Sequence, residues 1–277
     1  MQVEKSARIL QESIEFESRF LGRSVRVDLY FTAGALSSGN HAVLFPETSL
    51  LLINDGQDLE RLGLADILEE LDGRGLISPL VCAGIHAGPE RIMEYGTVPT
   101  PDCQGRGALA GAYTRCVLEE VIPAIRERFE AAEFREKAFA GFSLGALSAM
   151  DIVWNHPQEF ARAGLFSGSF WWRTRDKNDP EYNEQTDRIM QCQVRNGGYY
   201  PWLKFFFECG TEDEREDRNG NGIIDSIDDT QDLIKELTAK GYRLPEDIRY
   251  LEIAGGHHDV GTWKQAMPEF LLWGWGK

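Results

Sequence analysis

Short apolar runs alternate with segments of helical periodicity along most of the chain. Buried strands are predicted at SLLLIND, SPLVCAGI, KAFAGFS, RAGLFSGS, WLKFFFECG and DIRYLEI, because each run is short and apolar. Helices are predicted at LERLGLADILEELDGRG, ALAGAYTRCVLEEVIPAIRERFE, LGALSAMDIVWNHP, TQDLIKELTAKGY and TWKQAMPEFLLWGW. This alternation favours an α/β fold with a mainly parallel, doubly wound sheet that carries helices on both faces.

An N-terminal hairpin and a single domain complete the predicted fold. SIEFESRF and SVRVDLYF, on either side of Gly22, alternate between polar and apolar residues, which predicts an antiparallel hairpin. The 277 residues contain no repeat, low-complexity tract or linker, so we expect a single domain over residues 1–277. Residues 171–201 have little periodicity and are predicted to form a cap or loop over an edge of the sheet.

The charge and the cysteines restrict the class of protein. Lys and Arg number 29 against 45 Asp and Glu, a formal net charge of −16 that argues against binding nucleic acid or an anionic membrane. The N-terminal residues lack a signal-peptide-like apolar run, and no stretch is long enough to span a membrane. Five cysteines without CxxC spacing predict reduced, structural thiols. We expect a cytoplasmic protein with a small-molecule substrate; its oligomeric state is not predictable from the sequence.

A serine lies where one predicted strand turns into a helix. The motif is Gly141-Phe142-Ser143-Leu144-Gly145, between the strand KAFAGF and the helix LGALSAM. Such a strand–turn–helix context is typical of the nucleophile elbow, in which glycines permit a tight turn that exposes the serine hydroxyl. The N–H of Leu144, at the start of the helix, would then face the developing oxyanion.

The last predicted strand is followed by candidates for the base that a serine nucleophile requires. A serine hydroxyl is a poor nucleophile at neutral pH unless a base takes its proton. In enzymes with this elbow, the histidine follows both the serine and the acid along the chain. His257 and His258, in GGHHDVGTW, both satisfy that order.

The third member of a triad is expected after the strand WLKFFFECG. Asp213 is our choice, because a short carboxylate on that loop is suited to hold the imidazole in one tautomer and orientation. The same loop carries the rival carboxylates Glu212, Glu214 and Asp217. Most charges in such a segment belong to a solvated face.

Several motifs together resemble the esterase branch of the α/β-hydrolases that contains ferric enterobactin esterases, esterase D-like proteins and feruloyl esterases. LLLINDGQ is similar to the family's strand that ends in Asp-Gly-Gln, RIMEYG to its Arg-x-x-Glu-Tyr segment, and LEEVIPAI to its Glu-Leu-Ile-Pro helix. AGFSLGALSAM corresponds to the elbow, and FSGSFWW resembles the Ser-Gly-Ser-aromatic-Trp-Trp of the enterobactin esterases. The matching motifs extend over most of the chain.

The resemblance implies roles for further residues. The family's catalytic histidine lies five positions before a tryptophan, so Trp263 selects His258 over His257. Backbone N–H groups of Leu144 and Gln57 would form the oxyanion hole. The resemblance also places near the pocket a set of residues that either contact the substrate or form structural contacts: Arg91, Glu94, Tyr95, Trp171 and Trp172.

The resemblance leaves one acidic insertion, residues 216–229, unexplained; its twelve-residue loop is residues 217–228. Oxygen-bearing residues occupy positions one, three, five, nine and twelve of a twelve-residue loop, with glycine at six, as in the calcium loop of EF-hands and dockerins. The predicted ligands are Asp217, Asn219, Asn221, the carbonyl of Ile223, Asp225 and Asp228. The set lacks His and Cys and suits a hard cation. We expect a structural calcium ion that orders the loop beside Asp213, and no cofactor for catalysis.

These motifs predict a serine ester hydrolase that works through an acyl-enzyme, with Ser143 as nucleophile, His258 as base and Asp213 as its partner. An acyltransferase or thioesterase on the same fold, and a non-catalytic protein that only binds a ligand, are the alternatives. The acid and alcohol parts of the substrate remain open.

Overall fold

The computed structural model describes residues 9–37, 40–44, 46–98, 100–129 and 133–277. The strands are β1 (Leu10–Ser18), β2 (Arg23–Phe31), β3 (Leu36–Ser37), β4 (Asn40–Leu44), β5 (Ser49–Asn54), β6 (Leu80–Ile85), β7 (Lys137–Phe142), β8 (Arg162–Phe166), β9 (Lys204–Glu212) and β10 (Ile248–His257). The helices are α1 (Leu59–Leu62), α2 (Leu64–Gly73), α3 (Arg91–Glu94), α4 (Ala110–Cys116), α5 (Ile122–Arg128), α6 (Leu144–Asn155), α7 (Glu184–Asp187), α8 (Ile189–Asn196), α9 (Asp225–Lys240) and α10 (Val260–Trp275).

One mixed sheet of eight strands organises the described residues, in the order β1-β2-β6-β5-β7-β8-β9-β10. β1 and β2 form the predicted antiparallel hairpin, and β2 is also antiparallel to β6. From β6 to β10 the pairs are parallel. β3 and β4 form a separate two-stranded ribbon. The predicted α/β-hydrolase fold is confirmed.

The central strands are buried because helices cover both faces of the sheet. On one face, core residues of the sheet pack with residues of α4, α5, α6, α8 and α9. On the other face they pack with α1, α2 and α10. Alternate residues of β9 show the division, since Phe205 and Phe207 belong to the first core and Phe206 to the second.

Three local details differ from the sequence prediction. The predicted helix after β5 is two helices, because Gly63 adopts a left-handed conformation between α1 and α2. The predicted helix ALAGAYTRCVLEEVIPAIRERFE is interrupted between α4 and α5 by a π-helical turn, Val117–Val121, which ends two residues before Pro123. Residues 171–201 contain α7 and α8 in addition to loops. None of the described helices is long and apolar enough to cross a membrane.

The parallel strands bring their carboxyl ends to one edge of the sheet. The segments that follow β5, β7, β8, β9 and β10 therefore converge there, although they are far apart in the sequence. This edge contains the residues predicted to be functional.

Candidate active site

Ser143 occupies a strained turn between β7 and α6. Its φ of 55° and ψ of −121° lie outside the regions that a side chain normally favours. Its N–H donates to the carbonyl of Phe166 on β8, at 2.9 Å. A Cβ on Gly141 would lie 2.3 Å from the carbonyl oxygen of Gly145, so the turn closes only if residue 141 is glycine. The geometry is that of a nucleophile elbow.

The elbow is tied to the end of β5. The side-chain amide of Asn54 donates to the carbonyl of Gly145 at 2.7 Å, and a Cβ on Gly145 would come within 3.0 Å of the Asn54 side chain. Leu144 is the first residue of α6, so its N–H has no acceptor within the helix. Gln57 lies in the 3₁₀ turn that follows β5. It lines a cavity beside α1 and α2, which is not the cavity that contains Ser143.

Ser143, His258 and Asp213 line one cavity of about 290 Å³, which we call the Ser143 cavity. In the sequence Asp213 lies 70 residues after Ser143 and 45 residues before His258, and the strand order brings the three together. The rest of the lining comes from the segments after β8 and β9 and the start of α9: Ser167, Gly168, Ser169, Trp171, Glu214 and Ser226.

Asp213 presents a buried carboxylate that lacks a hydrogen-bond donor. Both of its carboxylate oxygens are buried and have no hydrogen-bond partner among the described residues. Gly210 makes room for it, since a Cβ there would lie 2.6 Å from the Asp213 Oδ1. Burial raises the pKa of Asp213, while the nearby Ser167 hydroxyl and the charge of His258 oppose that shift. An unpaired buried carboxylate is costly, and the imidazole N–H of His258 is a suitable donor for it.

The two adjacent histidines face different surroundings. His257 is exposed, and its Nε2 lies 3.8 Å from the Glu212 carboxylate. His258 is also exposed, but it lines the Ser143 cavity and packs edge-on against Trp263 with ring centroids 5.5 Å apart. Desolvation lowers the pKa of His258, although the Asp213 charge acts to raise it.

No hydrogen bond joins Ser143, His258 and Asp213 to one another in the described part of the chain. Hydrogen bonds of catalytic groups are often long without substrate and tighten only in the complex. Trp263 connects this site to β8, because its indole N–H donates to the hydroxyl of Ser167 at 2.9 Å.

Of three residues predicted near the pocket mouth, Arg91 is half-buried and Tyr95 and Glu94 are buried. Arg91 makes a two-pronged ion pair with Asp55, at 2.6 and 2.7 Å, and its charge contributes to the lowered pKa of His258. Tyr95 is fully buried, and its hydroxyl accepts the Asp55 N–H at 3.2 Å. Glu94 is buried in an ion pair with Arg23. Tyr95 therefore supports the turn at Asp55, Glu94 is fixed to β2, and both are too buried to contact a ligand.

The adjacent tryptophans of FSGSFWW point in different directions. Trp172 is buried in the core. Trp171 lines the Ser143 cavity and also a neighbouring cavity of about 410 Å³, which we call the Arg173 cavity. Trp171 is thus the member of the pair that forms a pocket wall.

Glu208 is a buried carboxyl that sequence reasoning missed. It lies on β9 beside Phe166 of β8, is fully buried, and neither carboxyl oxygen has a hydrogen-bond partner among the described residues. Burial raises its pKa to about 8, and the charge of Asp213 acts in the same direction. A charged residue within the apolar run WLKFFFECG is the signal that was available in the sequence.

The segment predicted to bind calcium forms a turn-rich loop before α9. Asp217 accepts the N–H groups of Gly220 and Gly222, both at 2.8 Å. Asn219 accepts the N–H of Asn221 at 3.0 Å, and Asn221 accepts that of Ile223 at 2.7 Å. The side-chain oxygens of these three residues therefore accept hydrogen bonds from backbone N–H groups of the same loop.

The remaining carboxylates of this loop face an internal cation. The buried guanidinium of Arg218 lies 3.3 Å from Asp225, 3.8 Å from Asp228 and 2.9 Å from Asp229. In the described part of the chain, no group of three or more His, Cys, Asp or Glu side chains is arranged to hold a metal ion. The loop thus fits calcium only in part, and the calcium site stays a prediction.

Comparisons with known proteins agree with this fold. Residues 47–273 match a family described as "Putative esterase". The chain is 25% identical to the uncharacterized protein YbbA of Bacillus subtilis, over 81% of this chain and 84% of that protein. It is also 25% identical to the iron(III) enterobactin esterase of Dickeya dadantii, over 81% of this chain but 47% of that enzyme.

A solved structure shows the same fold at low sequence identity. The enterobactin esterase FES of Shigella flexneri superposes with a TM-score of 0.69 at 20% identity, and the match covers 96% of this chain. It covers 59% of the Shigella chain, so this chain spans little more than half of that enzyme.

Proposed function

Since the chain belongs to the esterase family whose pattern covers residues 47–273, we propose that it is a serine ester hydrolase with a Ser143–His258–Asp213 triad. Ester hydrolysis is the activity that the family supports. The residue roles and the acyl-enzyme are our own assignment. The observation that carries it is the Ser143 cavity, which contains the strained serine, the imidazole and a buried carboxylate without a donor.

The first half of the proposed reaction forms an acyl-enzyme. His258 takes the hydroxyl proton of Ser143 as its oxygen attacks the ester carbonyl, and the carbonyl electrons move to oxygen. The N–H groups of Leu144 and Gln57 stabilise that oxyanion, each by roughly 3–4 kcal/mol. The intermediate collapses, the alcohol oxygen leaves, and His258 returns the proton to it.

The second half reverses these roles with water. His258 takes a proton from water, whose oxygen attacks the acyl carbon. As the intermediate collapses, the Ser143 oxygen leaves, His258 returns the proton to it, and the carboxylic acid is released. Asp213 holds the imidazole in one tautomer and stabilises the imidazolium. The lowered pKa of His258 keeps the base neutral and available at neutral pH.

Relatives suggest the first substrates to assay. The Dickeya and Shigella proteins are described as enterobactin esterases, so enterobactin-type esters belong in a panel with simple acyl and aromatic esters. Because this chain spans only part of those enzymes, their substrates are candidates for it and no more.

The proposal is tested with a serine-directed fluorophosphonate and the ester panel. We expect labelling and ester hydrolysis by the wild type, with loss of both in Ser143→Ala. Ser169→Ala, which changes another serine of the same cavity, is the matched control and should still be labelled. Labelling that persists in Ser143→Ala, or a wild type that hydrolyses none of the esters, would refute the assignment.

We propose in addition that the loop of residues 217–228 binds calcium weakly and structurally. The candidate ligands are those predicted from the sequence: Asp217, Asn219, Asn221, the Ile223 carbonyl, Asp225 and Asp228. The ion would order the segment that follows Asp213 and would take no part in the reaction. Arg218 competes with it for Asp225 and Asp228.

A further inference from the structure

The Arg173 cavity adjoins the Ser143 cavity, and the two share Trp171 and Glu214 in their linings. A substrate whose ester carbonyl lies at Ser143 therefore extends naturally into the Arg173 cavity. Its lining is rich in charged side chains, so the charges that remain unpaired decide which substrate group it prefers.

Three cations line the Arg173 cavity, and two of them have carboxylate partners. Arg106 pairs with Asp102 and stacks over Trp171 at 4.9 Å. Lys177 pairs with Glu216. Neither cation needs a ligand for charge balance.

Arg173 differs from both, because no carboxylate lies within ion-pair distance of it in the described residues. It is 8% exposed, and its Nη1 is buried without a hydrogen-bond partner. Its Nε donates to the carbonyl of Trp171 at 2.6 Å, and its guanidinium lies 5.5 Å from the centre of the Tyr182 ring. These contacts orient the side chain but leave its charge unneutralised, which is costly in a buried position.

Two of the nearby acids have cationic partners of their own. Asp225 pairs with Arg218, and Asp229 pairs with Arg188 and Arg218. Asp176 and Glu214 have no cation within ion-pair distance in the described residues, although Asp176 accepts hydrogen bonds from the backbone and side chain of Asn178. While ionised, both oppose an anion in the cavity; burial raises the pKa of Glu214.

We propose that Arg173 binds a carboxylate carried by the ester substrate, so that the enzyme prefers anionic esters to neutral esters of the same size. This inference rests on the proposed ester hydrolysis and specifies the substrate class. The net charge of −16 argues against anionic ligands in general, and the site supplies a local exception.

The test uses two pairs of size-matched esters. The 4-nitrophenyl half-ester of adipic acid and its methyl ester differ by a carboxylate in the acid part. 4-Carboxyphenyl and 4-carbamoylphenyl butanoate differ by a carboxylate in the alcohol part. We expect the wild type to favour the anionic member of one pair by about tenfold or more in kcat/KM, since hydrogen bonds to charged groups are the stronger ones.

Variants identify the residue responsible. Arg173→Met should remove that preference, lowering kcat/KM for the anionic ester about tenfold more than for the neutral one, mainly through KM. Glu214→Gln should increase the preference. Arg175→Met is the matched control, because Arg175 pairs with Glu181 and lies outside the cavity lining; it should keep the wild-type ratio.

The outcomes separate this inference from the proposed function. Hydrolysis of all four esters by the wild type without a preference in either pair would overturn the anion site and leave the esterase intact. A preference that Arg173→Met leaves unchanged would also overturn it. If Arg173→Met does not fold, the wild-type ratios and Glu214→Gln still decide. Failure to hydrolyse any ester would instead refute the proposed function.

Discussion

The elbow of residues 141–145 and the acidic loop of residues 213–228 both place a functional group at the same edge of the sheet, but by different means. The elbow is held by contacts so close that Gly141 and Gly145 have no room for a side chain. The loop is held by charge, through Arg218 and carboxylates from α7 and α9. Its glycines, Gly220 and Gly222, have no atom within 4 Å of an added Cβ.

This difference predicts which substitutions each region tolerates. Steric contacts between backbones are short-ranged, and a single added carbon disrupts them. Ion pairs depend on their partners, and removing one member leaves the other charge buried and uncompensated. The elbow should therefore be sensitive to size, and the loop should be sensitive to charge.

The largest expected effect concerns Asp213, the residue of the acidic loop that is proposed to orient His258. Asp213→Asn should lower kcat by about 10⁴-fold, because the imidazole of His258 would lose the carboxylate that sets its tautomer. The matched control is Glu212→Gln, since Glu212 is exposed beside His257, and it should retain activity. Steady-state kinetics on a chromogenic ester decide; a larger loss in the control would move the acid to Glu212.

The pH profile provides a second reading of the same variant. The proposed mechanism requires neutral His258, so kcat/KM should rise with pH through a midpoint below the ordinary pKa of histidine, because that pKa is lowered. The Asp213 charge raises the pKa of His258, so Asp213→Asn should move the midpoint to lower pH. An unchanged midpoint would show that the two groups do not interact.

Glu208 lies on β9, close enough to Asp213 for the two charges to interact, and it provides a prediction about the sheet itself. Its pKa is raised to about 8, so between its unfolded pKa and pH 8 the native state holds a proton that the unfolded state has released. Stability must therefore fall as pH rises through that window. Glu208→Gln should remove this dependence and stabilise the protein at pH 8 by as much as about 4 kcal/mol.

Urea denaturation of wild type and Glu208→Gln from pH 5 to 8.5 measures this effect. The difference between the two isolates Glu208 from Asp151, whose pKa burial raises to about 7. Parallel pH profiles would mean that Glu208 ionises freely in the native protein.

The acidic loop, which is held by ion pairs, should be strongly destabilised by loss of its internal cation, Arg218. Arg218→Met removes the partner of Glu184, Asp225 and Asp229 and should cost about 3 kcal/mol of unfolding free energy. The exposed Arg215, three residues earlier, provides the control Arg215→Met, with little expected change. Equal stability of the two variants in calcium-free buffer would remove Arg218 as the holder of the loop.

The elbow, which is held by close backbone contacts, should be destabilised by a single added methyl group. Gly141→Ala places a Cβ 2.3 Å from the Gly145 carbonyl and should destabilise the protein by about 2–3 kcal/mol. Gly220→Ala adds a Cβ in open space at a φ of 69°, so only backbone strain of roughly 1 kcal/mol is expected. If denaturation shows equal costs, the proposed contrast between the regions is wrong.

The same contrast explains how much the sequence predicted. The strands and the elbow follow from local patterns: apolar runs, a Gly-x-Ser-x-Gly motif and the helix after it. Ser143, His258 and Asp213 were predicted from chain order, which assigns each to the end of a strand, and the structure places all three in the lining of the Ser143 cavity. The family resemblance, applied to Trp263, chose between His257 and His258, and it placed Tyr95 near the ligand although the structure buries it beneath Asp55.

The ion pairs of the loop could not be predicted in this way. Arg218 occupies a variable position of the calcium-loop pattern, and nothing local shows that its charge turns inward toward Asp225 and Asp229. Its partner Glu184 comes from α7, in a segment without periodicity. Glu208 was missed for a related reason. Its neighbours Phe166 and Asp213 come close to it only through the pairing of strands, which local sequence does not show.

The smallest expected effect decides whether calcium shares the loop with Arg218. Millimolar calcium added to metal-stripped protein should raise stability by about 1 kcal/mol, if the loop has the affinity typical of extracellular modules. Arg218→Met should bind calcium more tightly, because Asp225 and Asp228 would lose their internal cation, whereas Asp217→Ala should not bind. Calorimetric titration with thermal melts measures both quantities. Binding that is unaffected by Arg218→Met would show that the cation and calcium use separate oxygens, and absence of heat in both proteins would mean that the loop is held by charge pairs alone.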